Sequence, residues 1–249
     1  MPYIGAAMSN GTITDFHIGS VLGRGAGVLS RNLVSFGSLS VLFMLVPYGF
    51  GQMMGIGVTV VSEISVFAFA TLIVLWLLLY FLLFATLTHG TICDLRGTPA
   101  SLRESLSWGL GLLFPVIGIT IIATAGASLG ALLLLVPGLM LMTMWWVAVP
   151  AAVVERTGVI ESLRRSAELT NGYRWKIFGV IVVIYIGQFA LDTVVSLLLT
   201  AAPIFSHVAS FLITVAVTAF FAVVTAVCYH DLRFLKDGVG VDDIAQVFD

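Results

Sequence analysis

Residues 174–200, RWKIFGVIVVIYIGQFALDTVVSLLLT, decide the fold. Two bases, Arg174 and Lys176, precede an apolar run to Thr200 with a single charge, Asp192. A helix needs about 20 apolar residues to cross a hydrocarbon core, so this run is a membrane span. Lys and Arg near span ends favour the cytoplasmic side, so the span starts there.

The pattern extends outward in both directions. The 11 Lys and Arg residues fall in four short stretches. These carry Arg24 and Arg31; Arg96 and Arg103; Arg156, Arg164, Arg165, Arg174 and Lys176; Arg233 and Lys236. Long apolar segments without a base separate them. The reading is six spans, at 35–56, 65–90, 107–126, 129–153, 176–200 and 207–229, with both termini in the cytoplasm. The expected fold is an all-α integral membrane protein of three transmembrane hairpins with cytoplasmic amphipathic helices. Its parts are an N-terminal segment 1–34, a membrane domain 35–229 and a cytoplasmic tail 230–249.

Composition agrees. The chain is 59% hydrophobic and 10% charged, with mean hydropathy +1.11, where a soluble domain carries about 25% charged residues. Net charge is −2, with no basic excess to suggest nucleic acid. The first thirty residues are Gly-rich, without a basic segment leading into an apolar core, so span one is expected to serve as its own insertion signal. Cys93 and Cys228 fall at the inner ends of spans two and six, which predicts free thiols.

Several breaks are legible. Pro47, with Gly49 and Gly51, is expected to kink or end span one. Pro115 lies inside span three. Gly126 to Gly130 reads as a tight link between spans three and four, and Pro137-Gly138 as an interruption of span four. Such breaks persist where neighbours re-satisfy the freed backbone groups. Asp15 to Asn32 reads as a helix on the inner face, N-capped by Thr14. Phe16, Leu22, Val28, Leu29 and Leu33 form its apolar side. Its glycines, Gly19, Gly23, Gly25 and Gly27, either let it pack closely on the bundle or leave it only partly helical. Asp242 to Asp249 reads as a short docking helix.

Two loops match without gaps at an offset of 61: Asp94-Leu95-Arg96-Gly97-Thr98-Pro99-Ala100-Ser101-Leu102-Arg103-Glu104-Ser105 and Glu155-Arg156-Thr157-Gly158-Val159-Ile160-Glu161-Ser162-Leu163-Arg164-Arg165-Ser166. Asp231-Leu232-Arg233 repeats Asp94-Leu95-Arg96. The physical reading is three units, each a short surface helix followed by a hairpin that exits on an acid and an Arg. The glycine would turn the chain out of the span. Ser-Leu-Arg-x-Ser would start the surface helix, apolar toward lipid and Arg toward phosphate.

Other motifs carry a resemblance. They are Leu134-Leu135-Val136-Pro137-Gly138; Trp146-Val147-Ala148-Val149-Pro150; Val154-Glu155-Arg156; Ser162-Leu163-Arg164-Arg165-Ser166-Ala167-Glu168-Leu169-Thr170; and Tyr229-His230-Asp231-Leu232-Arg233 with Asp237-Gly238. Together they resemble the glycerophosphoryl diester phosphodiesterase membrane domain, a family of bacterial six-span inner-membrane proteins. The resemblance covers most of the chain and is strongest from Leu134 to Asp237. It implies a bacterial inner-membrane protein. The phosphodiesterase of that name is a separate soluble barrel for which this chain has no room, so no catalytic residue is carried over.

Candidate sites follow from polar residues in apolar surroundings. Tyr185, Gln188, Asp192 and Ser196 form one stripe on span five, and Ser210, Thr214, Thr218 and Thr225 a comparable one on span six. An intramembrane carboxylate is a functional candidate by default; the plainer reading is hydrogen bonding between the two helices. His207 could meet Asp192 or Glu63. His89 and Cys93, with Cys228 and His230, offer zinc-type ligands, but Cys228 and His230 point to different helix faces and no metal is expected. Arg164, Arg165, Arg174 and Lys176, with Tyr173 and Trp175, form a basic aromatic belt able to hold a lipid phosphate or simply to anchor topology. Gly126 and Gly130 form a small-residue pair for packing. No nucleophile, metalloprotease, P-loop or dinucleotide fingerprint is present.

The expectation is a non-enzymatic inner-membrane protein: an accessory, scaffold or lipid-handling factor with no cofactor. Its partners would be membrane lipids and a second membrane protein. The alternative is a small transporter or channel using the stripe around Asp192.

Overall fold

The computed structural model describes residues 16–55, 66–98, 102–133 and 135–237. Thr14, Glu63, the outer loop around it and the segment Asp242–Asp249 lie outside them. The described residues form ten helices: α1 Ile18–Arg31, α2 Leu33–Gly55, α3 Val66–Leu95, α4 Leu102–Gly111, α5 Leu113–Leu133, α6 Leu135–Met144, α7 Ala148–Glu155, α8 Val159–Thr170, α9 Arg174–Leu198 and α10 Pro203–Asp237. Five stretches are long and apolar enough to cross a membrane, or six if α1 and α2, bent by 89°, count as one. The order of elements is a short helix followed by a hairpin, three times: α1 before α2–α3, α4 before α5–α7, and α8 before α9–α10.

The helix ends correct several expectations. Pro47 lies inside α2, which runs on to Gly55. Its ring removes one amide bond, to the carbonyl of Phe43, without ending the helix. The expected third span divides. Its first part is the separate helix α4, and α5 passes through Gly126 and Gly130 to Leu133, so the Gly126–Gly130 link is helical. The glycines serve packing instead. A Cβ on Gly126 would lie 2.5 Å from the Trp145 ring, and one on Gly130 3.1 Å from the backbone of Gly138. Small residues let antiparallel helices approach this closely. Pro137 falls in the first turn of α6, where a missing amide costs nothing, and the interruption lies at Trp145–Val147. There Ala148 bonds back to Trp145, which frees the Met144 carbonyl. It accepts the Ser166 hydroxyl at 2.8 Å and the Thr170 hydroxyl at 3.2 Å.

Helix α1 packs on α10 and α9 rather than simply lying on a surface. Its buried side is Val21, Gly25 and Val28, with Phe16 buried just ahead of it, whereas Leu33 is exposed at the start of α2. His17 takes the N-cap position without a side-chain cap bond. Gly25 allows the approach, since a Cβ there would meet Val224 Cγ2 at 2.7 Å. The main core gathers Val21 and Val28, Leu83 and Leu87 of α3, Ile177 and Val180 of α9, and Val223, Val227 and Tyr229 of α10.

The matching loops turn differently. Gly97 is left-handed (φ 73), but in the second loop Arg156 holds that conformation (φ 51) and Gly158 is extended. The Ser-Leu-Arg-x-Ser segment does not start α8, which begins at Val159. Its Ser162, Leu163 and Ser166 are buried against protein rather than turned to lipid.

Candidate functional site

The charged ends of the helices are tied together first. Arg24 of α1 donates to Asp231 of α10, and Arg31 lies 2.6 Å from Asp94 at the end of α3. Asn32 adds a bond to Asp94 at 2.8 Å. Glu155, the exit acid of the second repeat, accepts Arg165 at 3.0 Å and the Tyr229 hydroxyl at 2.8 Å. Arg165 also bonds Asp237, which faces Arg233 at 3.8 Å. Each repeat acid is thus held by an arginine. Burial pulls the Arg24 guanidinium below its ordinary value. For Arg165 burial acts the same way, but its hydrogen bonds to Glu155 and Asp237 outweigh it and the value rises.

That network separates the four expected headgroup residues. Arg165 is committed to Glu155 and Asp237, and Arg164 is exposed beside Glu168 at 3.2 Å. Lys176 sits 5.7 Å from the Tyr173 ring centre. Arg174 differs: its Nε is buried without a hydrogen-bond partner among the described residues. It lines a groove of about 280 Å³ between α6 and the start of α9, with Val136, Leu139, Met140, Thr143, Gly172, Trp175 and Phe178. Gly172, left-handed at φ 89, turns the chain from α8 into α9. Val136, Met140 and Trp175 are exposed, so the groove opens outward. Thr143 turns its hydroxyl back on the carbonyls of Leu139 and Met140, which keeps the wall apolar. Residues 136, 139, 140 and 143 are one helical face. That spacing was readable, but nothing in it said that α9 would lie opposite.

The expected intramembrane stripe lies on one continuous helix and straddles the edge of the bundle. On α9, Tyr185 and Ser196 are exposed, while Gln188 and Asp192 are half-buried. Ser196 donates to the Thr193 carbonyl at 2.9 Å, and on α10 Thr214 and Thr225 donate to Ser210 and Phe221 of their own helix at 2.8 and 2.7 Å. These three hydroxyls therefore bond within their own helices rather than across the pair. Asp192 Oδ1 is buried with no hydrogen-bond partner among the described residues. His207 is exposed and its backbone carbonyl accepts Tyr48, and Asp192 Oδ1 takes no bond from it.

His89 and Cys93 do meet, at 3.8 Å. His89 stacks on Trp108 at 4.9 Å and contacts Ser105 at 3.2 Å, and Arg156 lies over Trp108 at 3.8 Å. Cys93 and Cys228 are free thiols. No group of three or more His, Cys, Asp or Glu side chains converges among the described residues.

Among the described residues, fold and site together define a helical arrangement with five to six helices long and apolar enough to cross a membrane and an Arg-bearing apolar groove. Over residues 116–231 the chain is similar to a domain of unknown function (DUF7847). That stretch, from α5 to Asp231, takes in the groove, Asp192 and two of the three exit acids. Neither a curated protein nor a solved structure matches the chain.

Proposed function

We propose that this is a non-catalytic multi-pass protein of the bacterial inner membrane, with the basic helix ends in the cytoplasm, that holds an anionic phospholipid as an accessory or lipid-handling factor of the envelope. The family resemblance in its loops suggests the same setting. The observation that carries the reading is Arg174. A buried guanidinium N–H without an acceptor is costly, and hydrogen bonds to charged groups contribute about 1.5–3 kcal/mol when made. A lipid phosphate supplies that acceptor, in the geometry guanidinium suits best. The apolar face of α6 then receives the upper part of an acyl chain, and exposed Trp175 suits a headgroup-level position.

Native mass spectrometry of the protein released from nanodiscs containing phosphatidylglycerol tests this. Arg174→Ala should lower retained phosphatidylglycerol about tenfold, and Arg164→Ala should not. Equal retention in Arg174→Ala and the parent would overturn the proposal. A transporter built on the Asp192 stripe draws less support, because Ser196 is exposed and bonds within its own helix and Tyr185, half-exposed, packs its ring against Phe221.

A further inference from the structure

The second half of α9 is barely covered by its own protein. Only 17% of the apolar window in this helix is buried. Ile186 is 63% exposed, Phe189 74% and Leu197 69%. Lipid tails suffice for those side chains. They do not suffice for Asp192, which lies at the edge of the same face, seven residues after exposed Tyr185 and four before exposed Ser196.

The position of Asp192 is costly alone. It lies sixteen residues beyond Lys176, about 24 Å along the helix, and still inside a hydrocarbon core about 30 Å thick. Charged side chains at such depth pair with one another or with polar backbone. Among the described residues nothing bonds Asp192 Oδ1, and the sequence supplies no cation at this depth. It has no Lys or Arg between Lys176 and Arg233, between Arg31 and Arg96, or between Arg103 and Arg156. The cation must therefore come from another molecule at the same depth.

We infer that the exposed face of α9 is a docking surface for a transmembrane helix of another protein, one carrying a Lys or Arg in the half of its span away from the basic helix ends of this chain. The apolar side chains supply packing area and Asp192 supplies register and selectivity. Tyr185 and Ser196 extend the same polar seam to either side of the carboxylate. The inference is independent of the lipid groove, which uses the other end of α9.

The test uses the full chain, donor-labelled, in phosphatidylcholine vesicles with acceptor-labelled synthetic helices. One helix is a Leu/Ala host with a single Lys placed to match Asp192, and the other carries norleucine there. Energy transfer should show the Lys helix binding about fivefold more tightly. Asp192→Asn should abolish that difference and Asp192→Glu should keep it. Equal binding of both helices, or a Lys preference unchanged in Asp192→Asn, overturns the inference. So does pairing of the chain with itself that Asp192→Asn breaks, since a second copy would then be the occupant.

Discussion

The carboxylate side chain of Asp231 keeps 2% of its surface, and the arginine bonded to it comes from the far end of the chain. Removing one partner of a buried ion pair leaves the other charge without solvent or counter-charge, a loss of about 3–5 kcal/mol when both are buried. Arg24 is 35% exposed, so part of that penalty is screened. Arg24→Ala is therefore expected to destabilise by about 2–3 kcal/mol. Arg31→Ala breaks a pair whose arginine is 60% exposed and should cost under about 1 kcal/mol. Thermal unfolding in mild detergent distinguishes the two: the midpoint should fall clearly for Arg24→Ala and little for Arg31→Ala. Equal shifts would mean that the Asp231 environment is wetter than its burial indicates. The existence of these arginines was plain in the sequence. Their partners were not, because residues 24 and 231 meet only once the bundle has formed.

At the scale of elements, the ends of helices were harder to read than their existence. Hydropathy marks where a span must be, but the boundary depends on who receives the freed backbone groups. Pro137-Gly138 looked like the break and is the start of α6. Trp145–Val147 looked continuous and is the break. The Met144 carbonyl explains it, because Ser166 and Thr170 of α8 bring two hydroxyls to that one oxygen. A carbonyl with two donors loses little when one is removed, and a buried carbonyl left with none costs about 1–3 kcal/mol. Ser166→Ala and Thr170→Val should each destabilise by about 1 kcal/mol or less, and the double variant by more than their sum. Urea unfolding of the three variants measures this; strict additivity would show that the hydroxyls do not share the Met144 oxygen. The groove by Arg174 was half legible in the same way. Its α6 face was readable as a helical spacing and its cation as part of a basic belt. The distinction between Arg174 and Arg165 required knowing that Asp237 returns to Arg165.

For the whole molecule, the threefold order of short helix and hairpin was legible from the loop match, and the three exit acids show what it does. Asp94, Glu155 and Asp231 each receive an arginine, from Arg31, Arg165 and Arg24 respectively. Two of those arginines belong to α1, so the first short helix ties the exits of the first and third units together. That arrangement depends on α1 packing on α10, and Gly25 sits directly against Val224 there. An added methyl there overlaps Val224 Cγ2, on a stiff β-branched side chain with Phe220 at 3.6 Å beyond it. Gly25→Ala should therefore lift α1 and cost about 1–3 kcal/mol, although alanine favours an isolated helix. Gly19, on the same helix with nothing within 4 Å, isolates the intrinsic preference: Gly19→Ala should stabilise by about 0.5–1 kcal/mol. Hydrogen exchange decides whether α1 is the element that moves. In Gly25→Ala, exchange should rise along Ile18–Arg31 and beside Asp94 and Asp231 while the centre of α9 stays protected. If exchange rises evenly across the bundle instead, α1 is an inseparable part of the core rather than a strap laid over the exits of two repeats.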